Sequence, residues 1–442
     1  MKVVIIGAGE VGYELAESIR RKGHDVVIID KEERPCRRAR SLDVKVVKGN
    51  GARPELLNSL DVTEGDYFFA VTDDNEANLV SCAVAKAAGC KTIARINGLE
   101  YVSKPISTRF SKIGVDYVVS PELLIAKKIS NIIVMPSAID TNLSMGGKIN
   151  VMEFKVLHQS KVEGKKIKDI RLPDKVNLGA VIRGDKAFVP RGDNRLLEGD
   201  TLISMSQGKQ AERNMLKLMG TRRSSVHHVM IVGATDIGIN VARVLEERGI
   251  KVKLIENSGA RARVAAEALK KTEVIQGDAR EKAILIEEGI LRVDAFAATT
   301  SSEEFNVLVS LLAKIYGVEK TVAVVRELSL KSLIETVGID MAASPQLVTA
   351  RAMLRLAREL NPLKAISFHG GDLYILETVV SKDSPLIDKR LDQLSISDKF
   401  IVGALIRKGH TIIPRGTTTL REGDQAMVFV MKDQINNVEE LF

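Results

Sequence analysis

MKVVIIGAGEVGYELAESIRRKGHDVVIID, residues 1–30, decides how the rest of the chain is read. Val3, Val4, Ile5 and Ile6 are consecutive and β-branched, the composition of a strand buried on both faces. Gly7, Gly9 and Gly12 follow as G-x-G-x-x-G. A helical pattern then runs to Lys22, and a second apolar strand, Val26–Ile29, ends on Asp30. Gly7 permits a tight turn out of the strand, Gly9 lets a pyrophosphate approach the backbone, and Gly12 lets the helix pack close to the sheet. The N–H groups at the helix start suit an anion. A carboxylate at Asp30 accepts from a ribose 2′-hydroxyl and disfavours a 2′-phosphate, which favours NAD(H) over NADP(H). The glycine fingerprint in this strand–helix–strand setting predicts a Rossmann-type half-fold holding an adenine nucleotide. The alternative is a nucleotide-free fold whose glycines serve packing alone.

Composition bounds the rest. At 442 residues the chain exceeds one ordinary core and suggests about three domains. Its 45% apolar and 28% charged content reads as soluble and globular. No apolar run reaches the ~18 residues a membrane span needs, and an N-terminus that enters a strand at once argues against a signal peptide. Cys36, Cys82 and Cys90 fit neither a metal spacing nor a disulfide framework, which points to reducing cytosol. The net charge of +8 suits an anionic membrane surface or nucleic acid but is modest for this length. With no Trp and few Tyr or Phe, stacking platforms for single-stranded nucleic acid are not expected. The six histidines are scattered and read as surface or turn residues.

Further strands are expected at Val44–Val47, Phe68–Val71, Thr92–Ile96 and Val115–Val119. Gly49-Asn50-Gly51 follows the first of these, and Thr72-Asp73-Asp74-Asn75-Glu76 follows the next. Such polar residues at the carboxyl ends of parallel strands sit where open sheets bind ligands. Arg95 ends the following strand, where it either meets a ligand phosphate or pairs with Asp73, Asp74 or Glu76. The acids themselves suit a hard cation, or more commonly the capping and first turn of a helix. Composition shifts near Asn131. Met152–Val156, Leu178–Ile182, Ala187–Val189 and Thr201–Met205, divided by turns at Arg183-Gly184-Asp185 and Glu198-Gly199-Asp200, read as a small β-rich domain. Residues 207–225 are charged, lack strand signals and read as a connector.

At Val229 the opening pattern returns. Gly7, Gly12 and Asp30 map to Gly233, Gly238 and Glu256 at an offset of 226. Gly49, Asp66, Thr72, Glu76 and Asn78 map to Gly277, Asp294, Thr300, Glu304 and Asn306 at 228. Gly179, Arg183, Gly199 and Asp200 map to Gly403, Arg407, Gly423 and Asp424 at 224. The chain is therefore an α/β tandem repeat: a Rossmann-type parallel-sheet domain followed by a small β-rich α+β domain, twice. The expected bounds are 1–130, 131–215, 226–350 and 360–442. The copies differ where a diphosphate would lie. Thr235 stands in place of Gly9, and Val324 in place of Arg95, with Arg326 two residues on. Copy one is expected to be the main nucleotide site.

These residues resemble the regulator-of-K⁺-conductance domains of potassium transporters and channels, above all the TrkA-type peripheral subunits of Trk potassium uptake systems. The resemblance rests on residues 3–16 (VVIIGAGEVGYELA), 73–78 (DDNEAN), 94–96 (ARI), 114–121 (GVDYVVSP), 274–279 (VIQGDA), 303–306 (EEFN) and 338–345 (GIDMAASP). It continues through residues 179–200 and 403–424 and so covers essentially the whole chain. It implies a cytosolic protein at the inner face of the membrane, a homotetrameric ring docked beneath a membrane-embedded Trk potassium-conducting subunit, and gating by NAD(H), with ATP and ADP as competing ligands. Carried over by residue, it assigns Gly7, Ala8, Gly9, Glu10, Val11 and Gly12 to the phosphate turn and Asp30 to the ribose. Lys31 flanks the adenosine, Asn50 and Gly51 line its adenine side, and Thr72, Asp73 and Arg95 border the phosphates. Gly233, Gly238, Glu256 and Asp278 are the second-copy counterparts. Asn50-Gly51 departs from the family's usual Asp-Ala, which Asp278-Ala279 keeps. An NAD-dependent dehydrogenase is the first alternative. It is disfavoured because the repeated acids Glu198/Glu422 and Asp200/Asp424 lie in turns with no repeated base or nucleophile. A DNA-binding redox sensor is the second, disfavoured because no helix-turn-helix follows the Rossmann units and the cationic residues are dispersed. The expected protein is a non-enzymatic regulator with no nucleic-acid partner.

Overall fold

Val3–Ile6 are buried to within 2% of full, at the centre of a parallel sheet, as a run of β-branched side chains with no polar alternation requires. The computed structural model describes every residue except 1, 22, 61, 99–108, 135–148, 157, 159, 185, 220–225, 327–333, 335–336, 358–365, 369–371 and 394–399. The expected turn residue Asp185, most of the junction after Asn131 and the end of the expected connector lie outside the described residues.

The first sheet contains β1 (Lys2–Ile6), β2 (Asp25–Asp30), β3 (Lys45–Lys48), β4 (Tyr67–Ala70), β5 (Lys91–Arg95) and β6 (Tyr117–Val119). Its order is β3-β2-β1-β4-β5-β6, parallel throughout. The order reverses between β1 and β4, and the crevice that opens there is the ligand position of doubly wound sheets. The helices are α1 (Glu10–Arg20), α2 (Glu33–Ala39), α3 (Pro54–Asn58), α4 (Asn75–Ala87) and α5 (Pro121–Val134). Helix α5 continues beyond the domain boundary expected at residue 130.

After α5 come β7 (Asn150–Lys155), β8 (Val176–Arg183), β9 (Lys186–Phe188), β10 (Thr201–Ser206) and α6 (Lys209–Met219). The expectation that 207–225 is a bare connector is corrected by α6. Its Ala211, Met215 and Met219, spaced four apart on one face, are buried among Phe154, Leu178 and Leu202. Of its charged residues Arg213 and Lys217 are exposed, while Glu212 is buried.

The second parallel sheet repeats the first: β11 (His228–Val232), β12 (Lys251–Glu256), β13 (Glu273–Gln276), β14 (Ala295–Ala298), β15 (Lys320–Val324) and β16 (Met341–Ala343), in the order β13-β12-β11-β14-β15-β16. Its helices are α7 (Asp236–Glu247), α8 (Gly259–Ala268), α9 (Lys282–Glu287), α10 (Glu303–Ile315) and α11 (Pro345–Leu356). The chain ends with β17 (Ile366–Phe368), β18 (Leu373–Val379), β19 (Phe400–Arg407), β20 (His410–Ile412), β21 (Gln425–Met431) and α12 (Ile435–Leu441).

The molecule divides into two units, Met1–Val134 with Ser225–Asn361, and Met135–Ser224 with Pro362–Phe442. In the first unit the two Rossmann copies exchange their last helices. Ile125, Ala126, Ile129 and Ile133 of α5 belong to the core around β11 and β12. Ala350, Ala352 and Met353 of α11 belong to the core around β1 and β2. Arg248 fastens the exchange by donating to Asn131 Oδ1 at 2.6 Å and to the Ser130 carbonyl at 3.3 Å.

In the second unit the sheets β7-β10-β8-β9 and β17-β18-β21-β19-β20 share a core of Val151, Ala180, Ile203 and Met205 with Ile375, Ala404, Met427 and Phe429. The repeated glycines belong to this packing. A Cβ on Gly179 would lie 1.8 Å from the Phe429 ring, and one on Gly403 2.6 Å from Met205 Sδ. The repeated Arg and Asp form two equivalent forks: Arg183 meets Asp200 at 2.7 and 2.8 Å, and Arg407 meets Asp424 at 2.8 and 2.7 Å. Both carboxylates are 99% buried, so these repeated acids hold turns against strands.

Candidate functional site

The first crevice is built from the ends of β1, β2, β4 and β5. Gly7 leaves β1 at φ +95°, a conformation L side chains rarely adopt, and its N–H donates to the Ile29 carbonyl at 2.8 Å. A Cβ on Gly12 would fall 1.8 Å from the Gly7 carbonyl oxygen, so this glycine lets α1 seat against the turn. Gly9 is different in kind. It caps α1 with no side-chain bond, its backbone is extended, and a Cβ there would meet nothing within 4 Å. The space in front of the first helical N–H groups is open, as a pyrophosphate at a helix N-terminus requires.

Asp30 closes the crevice at the end of β2. Its two carboxylate oxygens accept from Ala8 N at 2.6 Å and Glu32 N at 2.9 Å. The carboxylate therefore ties the glycine turn to the end of β2, and each oxygen keeps a lone pair for a ligand hydroxyl. Asn50 Oδ1 accepts from Ala52 N at 3.0 Å, as Asp278 Oδ1 accepts from Arg280 N at 2.9 Å, so Asn and Asp make the same turn. Gly51 is required beside it, because a Cβ would lie 2.4 Å from Ile6 Cγ2.

Asn78 fastens the far side. Its amide donates to the carbonyls of Thr72 and Arg95 at 2.9 and 2.8 Å, joining β4 to β5. Arg95, four-fifths buried at its side chain, pairs with exposed Asp73 at 2.8 Å and donates to Asn97 at 3.2 Å. Asp74 accepts from Ala77 N at 2.9 Å and caps α4, and that bond holds its carboxyl below the ordinary range. Asp73 thus makes the ion pair offered as the alternative to a phosphate contact of Arg95, and Asp74 the helix cap offered as the alternative to a cation ligand.

The resulting crevice has a volume of about 820 Å³ and an edge contributed by the second copy: Ile237, Arg326, Pro345 and Gln346 join Glu122 around its mouth. Burial pushes the Glu122 carboxyl up, against the opposing pull of the Ser120 hydroxyl and Arg95. Gly7, Gly9, Glu10, Val11, Asp30, Lys31, Asn50, Gly51, Thr72, Asp73 and Arg95 all line it, while Ala8 and Gly12 lie beneath. The wall from the second copy is what sequence reasoning missed. Arg326 was visible near a strand end, but no local pattern reports which lobe a strand end faces. Of the crevice-lining residues none is a histidine or cysteine. Cys82 and Cys90 are buried, and burial pushes both thiols up, Cys90 to about 11, which keeps it protonated at neutral pH.

The second copy repeats the frame. Glu256 accepts from Ala234 N at 2.6 Å and Ser258 N at 2.9 Å, and Asn306 donates to the carbonyls of Thr300 and Val324 at 3.0 and 2.9 Å. Gly233 and Gly238 repeat the turn and the close helix packing. Gly233, Glu256 and Asp278 line a smaller crevice of about 280 Å³, while Gly238 does not reach it. Elsewhere, His158 stands in an exposed turn with Glu163 and Glu198, its Nδ1 3.7 and 3.3 Å from their carboxylates.

Fold and crevices together define a class: duplicated Rossmann-type binding proteins, each copy followed by a small antiparallel-sheet domain. The TrkA-N domain family matches residues 3–121 and 229–345, and the TrkA-C domain family matches residues 151–204 and 375–442. The chain belongs to the TrkA family. It is 37% identical to the Trk system potassium uptake protein TrkA homolog of Archaeoglobus fulgidus, and 34% identical to TrkA homolog 1 of Methanosarcina mazei, with all of each chain covered. Among solved structures, the GsuK channel bound to NAD matches with a TM-score of 0.63 at 17% identity, covering 100% of this chain and 78% of that one, a likeness of fold.

Proposed function

We propose that the chain is a cytosolic regulatory subunit of a Trk potassium uptake system, and that adenine nucleotides bound in the first crevice, NAD(H) or the competing ATP and ADP, set its state. The observation that carries this is the open space in front of Gly9, flanked by the Asp30 carboxylate and the half-neutralised Arg95. A volume of about 820 Å³ is within the ~300–1,000 Å³ of small-molecule sites. The amides at the start of α1 hold the diphosphate, Asp30 accepts from the adenosine ribose, Asn50 and Gly51 border the base, and Thr72, Asp73 and Arg95 border the remaining phosphates or the second nucleoside. The names of the relatives, all of Trk systems over their full length, support potassium transport as the setting. No described helix is long and apolar enough to cross a membrane, which accords with docking on a separate membrane-embedded conducting subunit as a homotetrameric ring.

No histidine or cysteine lines the crevice, which favours a sensor over a dehydrogenase. The test is K⁺ flux through reconstituted conducting subunit plus this protein, with each nucleotide added in turn. Flux that changes with nucleotide and loses the change in Gly9→Ala supports the reading. Flux indifferent to nucleotide, or steady turnover of NADH with a small substrate, overturns it.

A further inference from the structure

The two crevices share their ribose half, and in the phosphate half they keep Gly7/Gly233 and Thr72/Thr300 but differ at Gly9, Ala77 and Arg95. Glu256 repeats Asp30 with the same pair of backbone donors, and Asp278 repeats the turn of Asn50. On the other side, Thr235 replaces Gly9. Its hydroxyl accepts from Gly238 N at 3.2 Å and donates to the Thr299 carbonyl at 2.6 Å. The helix N–H that a phosphate oxygen would take is thus already capped, and the capping side chain is itself held in place. Phe305, half-buried in the lining, stands where the first copy has Ala77, and Val324 where it has Arg95. Glycine, small side chain and arginine have each been exchanged for something that fills space or removes charge.

We propose that the second crevice is a nucleoside site: it takes an adenosine-sized ribonucleoside through Glu256 and rejects diphosphates and dinucleotides. About 280 Å³ is near the lower end of small-molecule pockets. The vicinal hydroxyls of a ribose are the donors that suit the remaining lone pairs of Glu256. Arg280, which also lines the crevice, is forked onto Asp278 at 2.6–3.0 Å, so its charge is spent internally rather than on a ligand phosphate. The proposal rests on the first crevice being the nucleotide site from which the second has diverged.

Calorimetry on the full chain tests it with adenosine and with NADH as probes. Wild type is expected to bind NADH at one site per chain, weakened at least tenfold by Gly9→Ala and untouched by Glu256→Gln. Glu256→Gln is expected to weaken one adenosine site more than tenfold. Opening the phosphate half with Thr235→Gly and Phe305→Ala together should raise NADH to two sites, whereas Thr235→Ser, which keeps the hydroxyl, should leave it at one. Two NADH sites in wild type, adenosine binding indifferent to Glu256→Gln in a chain that melts as wild type does, or a single NADH site in the opened variant would overturn the proposal. The Thr235 variants leave Glu256 intact, so a poorly folded Glu256→Gln still leaves the stoichiometry readable. NADH binding insensitive to Gly9→Ala, with adenosine still dependent on Glu256, would instead count against the first-crevice reading alone.

Discussion

Replacing Gly9 and Gly12 by alanine, one at a time, separates binding from folding within a single motif. At Gly9 the added methyl meets nothing within 4 Å, and the extended backbone accepts an L side chain. Loss of a favourable helix cap costs a few tenths to about 1 kcal/mol, and restricting the unfolded chain returns about 0.4–1 kcal/mol, so the net change in stability is near zero. The same methyl occupies the space of the pyrophosphate and breaks at least one charge-assisted hydrogen bond to the α1 amides. At roughly 1.5–3 kcal/mol that is a loss of about 10- to 150-fold in affinity. At Gly12 the methyl would lie 1.8 Å from the Gly7 carbonyl and 3.4 Å from Val71 Cγ2, neither of which can swing away because one is backbone and the other is core. Overpacking there costs about 1–3 kcal/mol or more and displaces α1. Calorimetric titration of NADH and thermal melting of the same preparations decide the matter. Gly9→Ala should melt within a degree or two of wild type and bind at least tenfold more weakly, while Gly12→Ala should melt lower. Gly9→Ala that binds NADH within threefold of wild type would refute the assignment of the open space to a diphosphate.

Arg95→Ala should weaken ATP and NADH more than tenfold while costing under about 1 kcal/mol in stability, because its partner Asp73 is 90% exposed; Asp73→Ala, measured in the same titration, should not weaken binding. Asp30→Ala should lower both melting temperature and affinity, because it strips the acceptor from the buried Ala8 N, at about 1–3 kcal/mol, as well as from the ligand, while the exposed Glu32 N turns to water. Gly179→Ala should destabilise by about 1–3 kcal/mol through its collision with the Phe429 ring, and Phe429→Leu in the same chain should recover part of the loss in a urea titration. Burial alone would raise the Asp424 carboxyl, but the Arg407 fork and the Arg421 N–H outweigh it and hold the group below the ordinary range. Its contribution is therefore full above the unfolded value near ~3.9 and is lost as pH falls through the folded value, so Asp424→Asn should flatten the acid limb of stability measured by denaturant titration from pH 6 to 2.

Much of the architecture was legible because the duplication checks itself. Strands expected at Val3–Ile6 and Val26–Ile29 are found at Lys2–Ile6 and Asp25–Asp30, and the repeated Asn78/Asn306 make the same bonds in each copy, while Asp66/Asp294 share the bond from the first residue of the strand, Lys2 N and His228 N. Helix α6 was hidden because its apolar residues, Ala211, Met215, Leu216, Leu218 and Met219, are interspersed with charges in a segment that carries no strand signal. The role of Asp30 was half legible. Its position predicts a ribose acceptor, but its two backbone donors come from Ala8 and Glu32 and appear only once the turn is folded. The helix exchange was not legible at all. An amphipathic α5 looks the same in sequence whether its apolar face covers its own sheet or the other copy's.

That exchange decides what a ligand in the first crevice can influence. Both exchanged helices begin at the crevice mouth, α5 at Pro121 and α11 at Pro345, and each ends in the core of the opposite copy. The crevice is therefore bordered by both copies: the turn after β1 on one side, and Arg326, Gln346 and Ile237 on the other. A ligand shifts an equilibrium only by the difference in its affinity for the two arrangements, and one confined to a single copy has no such difference to offer to the relation between them. In the proposed binding mode the phosphates lie toward Gly9 and Arg95 and the ribose toward Asp30, in a crevice whose lining also takes Ile237, Arg326, Pro345 and Gln346 from the second copy. Nucleotides that share adenosine but differ in phosphate number or in the group beyond the diphosphate would then bind the same half and load the joint differently. In the second copy the corresponding half is filled by Thr235 and Phe305, and its crevice is lined by second-copy residues alone. The duplication has thus left one crevice built across the joint and one built within a lobe. A nucleotide bound as proposed would meet residues of both copies in the first crevice and of one copy alone in the second.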